Sequence, residues 1–180
     1  MEKDQNPNSD TQNSEVEKTD SDELNNYEIG YKYTNADGTL KFNSAYYLMN
    51  WEDMQTAVYD RNLATIQFNT NIGDAVIQGI ETDLTLLTEN GFTIIAGATF
   101  TNPELDDNFI LSGVIQATPG TQLANVSKHK ISLAINKEFQ IASGREGYWD
   151  LSLSRTGKRK SSLTNPINQG AYTLGNFSAA

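Results

Sequence analysis

His129 is the only histidine in the chain, and cysteine is absent. A serine-hydrolase device here would have to use His129 as its base. It stands between Lys128 and Lys130 where an alternating segment begins, with no serine-centred elbow nearby, and reads as a strand-mouth residue. Glu81 and Asp83 are two apart, so a strand puts both carboxylates on one face, as acid–base chemistry would need. A polar face turned to water accounts for them without chemistry. Asp106 and Asp107 are candidates to help hold a cation, but their loop lacks the D-x-[DN]-x-[DN]-G spacing of a calcium loop. Arg155, Lys158, Arg159 and Lys160 form a basic group suited to phosphate, or equally a solvated basic loop. Trp51, Tyr46, Tyr47 and Trp149 are amphipathic rings that suit a water–lipid boundary better than a stacking platform, which would need a basic or open groove. No residue is assigned to catalysis, to a cofactor or to a metal, ligand-contacting positions stay unassigned, and no enzyme is expected.

The elements that hold these residues follow from composition and period. The formal charge of −10 excludes nucleic acid as a partner, because phosphate backbones need a basic footprint. Without cysteine there is neither a disulfide framework nor a thiolate metal site. Residues 1–26 hold eight acids against Lys3 and Lys18, and their apolar residues are Met1, Val16 and Leu24. Such a segment buries too little surface to offset its chain entropy and is expected to be disordered or a long exposed loop. It lacks the basic start and apolar stretch of a signal peptide.

From Tyr27 onward the pattern has period two. Phe92, Ile94, Ala96, Ala98 and Phe100 fall on one face, and Thr93, Gly97, Thr99 and Thr101 on the other, with Ile95 the exception. Ile131, Leu133 and Ile135, then Trp149, Leu151 and Leu153, alternate in the same way with polar residues. Seven antiparallel strands are expected, at about 27–34, 39–51, 75–87, 92–101, 128–139, 147–157 and 170–179. Several reach the roughly 9–11 residues that cross a bilayer at a tilt, whereas no apolar run is long enough for a membrane-spanning helix.

The connections alternate. Asn35-Ala36-Asp37-Gly38 and Thr88-Glu89-Asn90-Gly91 are tight turns, and the link from Ile141 to Glu146 is short. The links from about Glu52 to Asp74, Asn102 to Ser127 and Lys158 to Gln169 are long. An all-β up-and-down meander, with turns at one rim and loops at the other, is the plan of an outer-membrane barrel. Seven is an odd count where such barrels close with even numbers, so the chain is expected to be part of a larger barrel.

On these strands the chain resembles TonB-dependent receptors. Tyr27-Glu28-Ile29-Gly30-Tyr31-Lys32 is similar to the family's YElGyK strand. The Asp-Gly hairpin, Phe42, Tyr46 and Tyr47, and Trp51-Glu52-Asp53-Met54-Gln55 follow in the family's order. Asn71-Ile72-Gly73-Asp74-Ala75 with Gln78-Gly79-Ile80-Glu81 resembles its N-x-G-x-A…G-[ILV]-E element. Asn125-Val126-Ser127-Lys128-His129 resembles NVPKH with Ser127 in place of proline. Thr156-Gly157-Lys158-Arg159 and Ala171-Tyr172-Thr173-Leu174 are similar to two later strand ends. The resemblance implies that residues 27–180 are the C-terminal part of a transmembrane β-barrel in the cell outer membrane, without the plug, the TonB-contacting box or the terminal strand. It implies a transport receptor for a scarce ligand, foremost a ferric siderophore, with a vitamin or oligosaccharide as second choices. It further implies partners in outer-membrane lipid and lipopolysaccharide, TonB (through the plug) and the ligand itself. Glu81 and Asp83 then line a wet lumen, and the four aromatic residues join an aromatic girdle. The rival expectation is a secreted all-β adhesion or carbohydrate-binding module with an acidic linker.

Overall fold

Asp37-Gly38 and Asn90-Gly91 close hairpins because each glycine takes a left-handed backbone, with φ of +72° and +77°, that a side chain would strain. The Gly38 amide donates to Asn35 O at 3.0 Å and the Gly91 amide to Thr88 O at 3.0 Å. The computed structural model describes residues 19–59, 67–111, 113–142, 144–164 and 166–180. In chain order the strands are β1 (Glu23–Thr34), β2 (Leu40–Glu52), β3 (Gln55–Tyr59), β4 (Gln67–Asn71), β5 (Ala75–Leu87), β6 (Phe92–Leu105), β7 (Phe109–Leu111), β8 (Val114–Ala117), β9 (His129–Ile141), β10 (Arg145–Thr156), β11 (Arg159–Lys160), β12 (Asn168–Gln169) and β13 (Tyr172–Ala179).

The seven long strands make one antiparallel sheet in the order β1-β2-β5-β6-β9-β10-β13. Each strand is hydrogen-bonded to its sequence neighbour among the long strands. The three tight connections therefore lie at one rim and the three long ones at the other. The remaining strands are three small hairpins, β3–β4, β7–β8 and β11–β12, one inside each long connection. Alternation does not reveal these hairpins, because pairs of two to five residues are too short to show a period. β6 also runs four residues past its expected end, to Leu105.

Register decides which residues share a face. Tyr46 pairs Ile80, which pairs Phe100; Leu84, Ala96, Leu133 and Leu153 form a second row, and Leu86, Ile94, Ile135 and Leu151 a third. These rows make one mostly apolar face. The row of Ser44, Thr82, Ala98, Ile131, Arg155 and Thr173 interrupts it with polar groups at both ends, and the Ser44 and Thr82 hydroxyls satisfy each other at 3.2 Å. The opposite face carries Ala45, Glu81, Thr99 and Lys130 in one row, and Asn43, Asp83, Gly97 and Ser132 in the next. Ile95 lies on this polar face, 50% exposed, between Thr85 and Ala134.

Two expectations need correction. Residues 23–26, expected to be disordered or part of a long exposed loop, pair with Met49–Glu52 as the start of β1. Backbone bonds to β2 suffice there, and they need no apolar side chains. Residues 1–18 lie outside the described residues. The second correction concerns the girdle. Tyr46 and Tyr47 are adjacent, so period two sends them to opposite faces. Tyr46 is on the apolar face, whereas Tyr47, 9% exposed, lies over Gly79 on the polar face. Trp51 follows Tyr47's parity and packs at the long-loop rim. Trp149 does belong to the apolar face: its ring meets Phe92 edge-on at 5.9 Å, and the Lys137 ammonium sits 4.2 Å from the Phe92 ring centre.

The buried apolar cluster of the described residues is not in the middle of the sheet. It consists of Val58, Ile72, Ala75, Leu105, Phe109, Ala117, Leu123 and Leu163, with Trp51, Met54 and Ile77 packed against it. A single-layer sheet covers neither of its own faces, so the chain hides its apolar side chains where the long connections fold onto one another. One prediction arises from the sheet. A Cβ on Gly79 would stand 2.5 Å from both Phe100 O and the Tyr47 hydroxyl. Gly79→Ala is therefore expected to destabilise the folded protein by about 1–3 kcal/mol. The midpoint of urea unfolding in lipid measures it, and an unchanged midpoint would show that the Tyr47 side chain and the β6 backbone at Phe100 both shift freely.

Candidate functional site

The long-loop rim is built from all three long connections. Strand β3 supplies Thr56 and Val58, the segment before β9 supplies Asn125, and the last connection supplies Ser161, Leu163 and Thr164. Between them lies a cavity of about 320 Å³ lined both by apolar residues and by residues with hydroxyl and amide groups. Backbone bonds lock the loops together. The Asn125 amide donates to Lys160 O at 2.7 Å, joining the second and third connections. The Asp106 amide donates to Asp74 O at 2.8 Å, joining the second to the first. The Leu105 amide donates to Thr121 O at 2.9 Å, folding the second connection back on β6.

The acidic residues at this rim act mainly on backbone. Asp74 Oδ1 accepts from the Asp53 amide at 3.0 Å, and Asp107 Oδ2 accepts from the Asp74 amide at 3.4 Å. That is a turn-capping role for Asp107; Asp106 is exposed beside it. The segment ahead of β1 is tied to the same rim. The Asp20 amide donates to Asn71 Oδ1 at 2.9 Å, Asp20 O accepts from Gln55 Nε2 at 2.8 Å, and Trp51 Nε1 donates to Asp22 Oδ2 at 2.9 Å.

His129 sits at the top of β9 with its ring across Gly157, where a Cβ would come within 2.6 Å of it. Its side chain has no hydrogen-bond partner among the described residues, so no nucleophile–base–acid relay is assembled around it. Glu81 and Asp83 share the polar face as expected, with Thr99 and Lys130 continuing the Glu81 row. The basic group is dispersed. Arg155 is on the apolar face, where its Nη1 donates to Thr173 Oγ1 at 3.3 Å, while Arg159 Nε bonds Gln169 Oε1 within the last hairpin. A further cation, Lys128, stands near the rim, apart from that group. Lys128 Nζ donates to Asn102 Oδ1 at 2.6 Å and pairs with Glu104 Oε1 at 3.1 Å. The signal that could have found its surroundings is parity, since Gln78 and Asn102 are polar residues at apolar-face positions.

A two-faced antiparallel meander with long strands, tight turns at one rim and packed loops at the other is a segment of a β-barrel wall. The TonB-dependent receptor-like β-barrel family model matches residues 11–180, and the chain belongs to that family. Its fold is similar to that of the ferric yersiniabactin uptake receptor FyuA from Yersinia pestis, with a TM-score of 0.66 at 17% identity over 88% of this chain and 22% of that one. It is also similar to the FrpB iron transporter from Neisseria meningitidis (F5-1 variant), with a TM-score of 0.62 at 17% identity over 89% of this chain and 24% of that one. The chain thus spans less than a quarter of the length of these structures. No curated protein sequence matches it. The family consists of receptors and transporters, and TonB-dependent receptors are outer-membrane proteins.

Proposed function

We propose that this chain is part of the barrel wall of an outer-membrane receptor that takes up a scarce ligand, foremost a ferric siderophore, with energy delivered through TonB. The observation that carries this reading is the pair of opposed faces, one mostly apolar and one mostly polar, set by register. The apolar face suits lipid, and the polar face, with Glu81, Asp83, Thr99 and Lys130, suits a lumen wetted or filled by a plug. Support for the ligand class comes from the two similar structures, one a ferric yersiniabactin uptake receptor and one an iron transporter. The packed loop rim supplies the surface that would meet ligand first, and apolar-face residues such as Ile29 and Phe177, 73% and 69% exposed, suit lipid contact.

The test uses the receptor carrying this segment, expressed in iron-starved cells that lack their own receptors for the compounds offered. Uptake of labelled ferric siderophore that disappears when TonB is deleted is the expected result. Uptake of cobalamin or an oligosaccharide instead would replace the ligand class and leave the transport role standing. Recovery of the protein from the aqueous phase after detergent partitioning would favour a secreted adhesion module and overturn the membrane reading.

A further inference from the structure

The apolar face breaks its own rule near the long-loop rim. Gln78 and Asn102 occupy the same face as Ile80 and Phe100, one pair closer to the rim, and pair with each other across β5 and β6. Lys128 reaches over that face to bond Asn102 and Glu104. The Tyr46 hydroxyl donates to Gln78 Oε1 at 3.1 Å, and Lys128 occupies Asn102 Oδ1. Both amide carbonyls are therefore taken, while neither amide nitrogen has a partner among the described residues. Gln78 Nε2, Asn102 Nδ2 and the third N–H of Lys128 are left as donors at the head of a shallow groove of about 370 Å³. Tyr46 and Phe100 wall this groove, with Ile80 between them, and the three are 45%, 50% and 44% exposed.

We propose that this groove binds a phosphorylated lipid of the leaflet at the long-loop rim, lipopolysaccharide in an outer membrane. An acyl chain lies along Ile80 between Tyr46 and Phe100, and the phosphate accepts from the three donors. This rests on the reading of the apolar face as the lipid face. Donors without acceptors select an acceptor-rich anion, and the apolar floor selects one that carries a hydrocarbon tail. Glu104 is the carboxylate beside the site. It orients the ammonium and shares its charge, so the phosphate is held by Lys128 and the two amides together rather than by a free cation. Free phosphate has the same donors available to it but gains nothing from the aromatic walls.

The whole receptor, reconstituted in phosphatidylcholine vesicles doped with lipopolysaccharide and then released gently, reports retained lipid by native mass spectrometry. Wild type is expected to retain lipopolysaccharide over phosphatidylcholine, with excess inorganic phosphate failing to displace it. Lys128→Met and Asn102→Leu are each expected to lower retention about tenfold, the equivalent of one charge-assisted bond, while Lys128→Arg restores it. Equal retention in wild type and both variants overturns the site, and displacement by inorganic phosphate makes it a free-anion site instead. A label separates this failure from failure of the membrane reading. The segment has no cysteine, so Ala96→Cys offers one attachment point within it for a fluorophore. Quenching of that label by brominated lipid with unchanged retention defeats the lipid site alone; no quenching defeats the lipid face itself.

Discussion

Phe109→Ala is expected to loosen all three long connections at once. Phe109 is 1% exposed and is the bulkiest fully buried side chain of the loop cluster, which joins Leu105, Ala117 and Leu123 from its own connection to Val58 and Ile72 from the first and Leu163 from the third. Removing a buried phenyl ring costs about 3–5 kcal/mol through lost burial and the cavity left behind. The loss falls on a unit whose stability is local, because the sheet is held by its own backbone ladder and not by this cluster. Hydrogen exchange is the measurement. Amides at Ile72, Leu105, Leu123 and Asn125, all in loop hydrogen bonds, are expected to lose protection together, while those of β5 and β6 below the rim keep theirs. Loss confined to residues 106–123 would mean that the connections open independently and that the rim is three loops rather than one body.

Ala96→Arg is expected to cost about 2–4 kcal/mol in lipid, the penalty for a charge near the middle of a bilayer. Ala96 sits in the central apolar row, paired with Leu84 on one side and Leu133 on the other. Thr99→Arg is the matched control on the opposite face. Register sets Thr99 between Glu81 and Lys130, so the new guanidinium gains a carboxylate neighbour and meets one like charge. Its cost is expected to stay below about 1 kcal/mol, in the range of exposed charge pairs. Unfolding free energies of both variants in the same lipid decide the outcome. Equal costs, or a greater one at Thr99, would turn the apolar face away from lipid and favour a soluble sandwich.

Strands such as β1 and β6 were legible because period two runs along them, whereas β13, with Tyr172 and Leu174 on one parity and Phe177 on the other, carries no such repeat. The expected 75–87 strand coincides with β5, and the Asp-Gly and Asn-Gly turns fell where expected because only a left-handed glycine closes them. The facing of β6 was equally legible, since Phe92, Ile94, Ala96, Ala98 and Phe100 are of one chemical kind. The family followed from the order of short elements along those strands. The start of β1 was not legible: Glu23–Asn26 have the composition of a disordered tail, and only the partner strand β2 makes them a strand.

Alternation by itself determined that this chain is a sheet with one apolar and one polar face, and spacing determined which rim holds its loops. It did not determine how those loops fold, because Val58, Ile72, Phe109 and Leu163 are far apart in sequence and share no period. Tertiary structure alone brought them into one cluster. It also separated Tyr46 from Tyr47, sending one to the apolar face and laying the other across Gly79. It likewise placed Lys128 beside Gln78 and Asn102 rather than with the basic group that follows β10. The physical reason is range. A strand's facing is a local property fixed by backbone geometry at every second residue. A contact between connections depends on register across several strands, which each strand's own sequence does not encode.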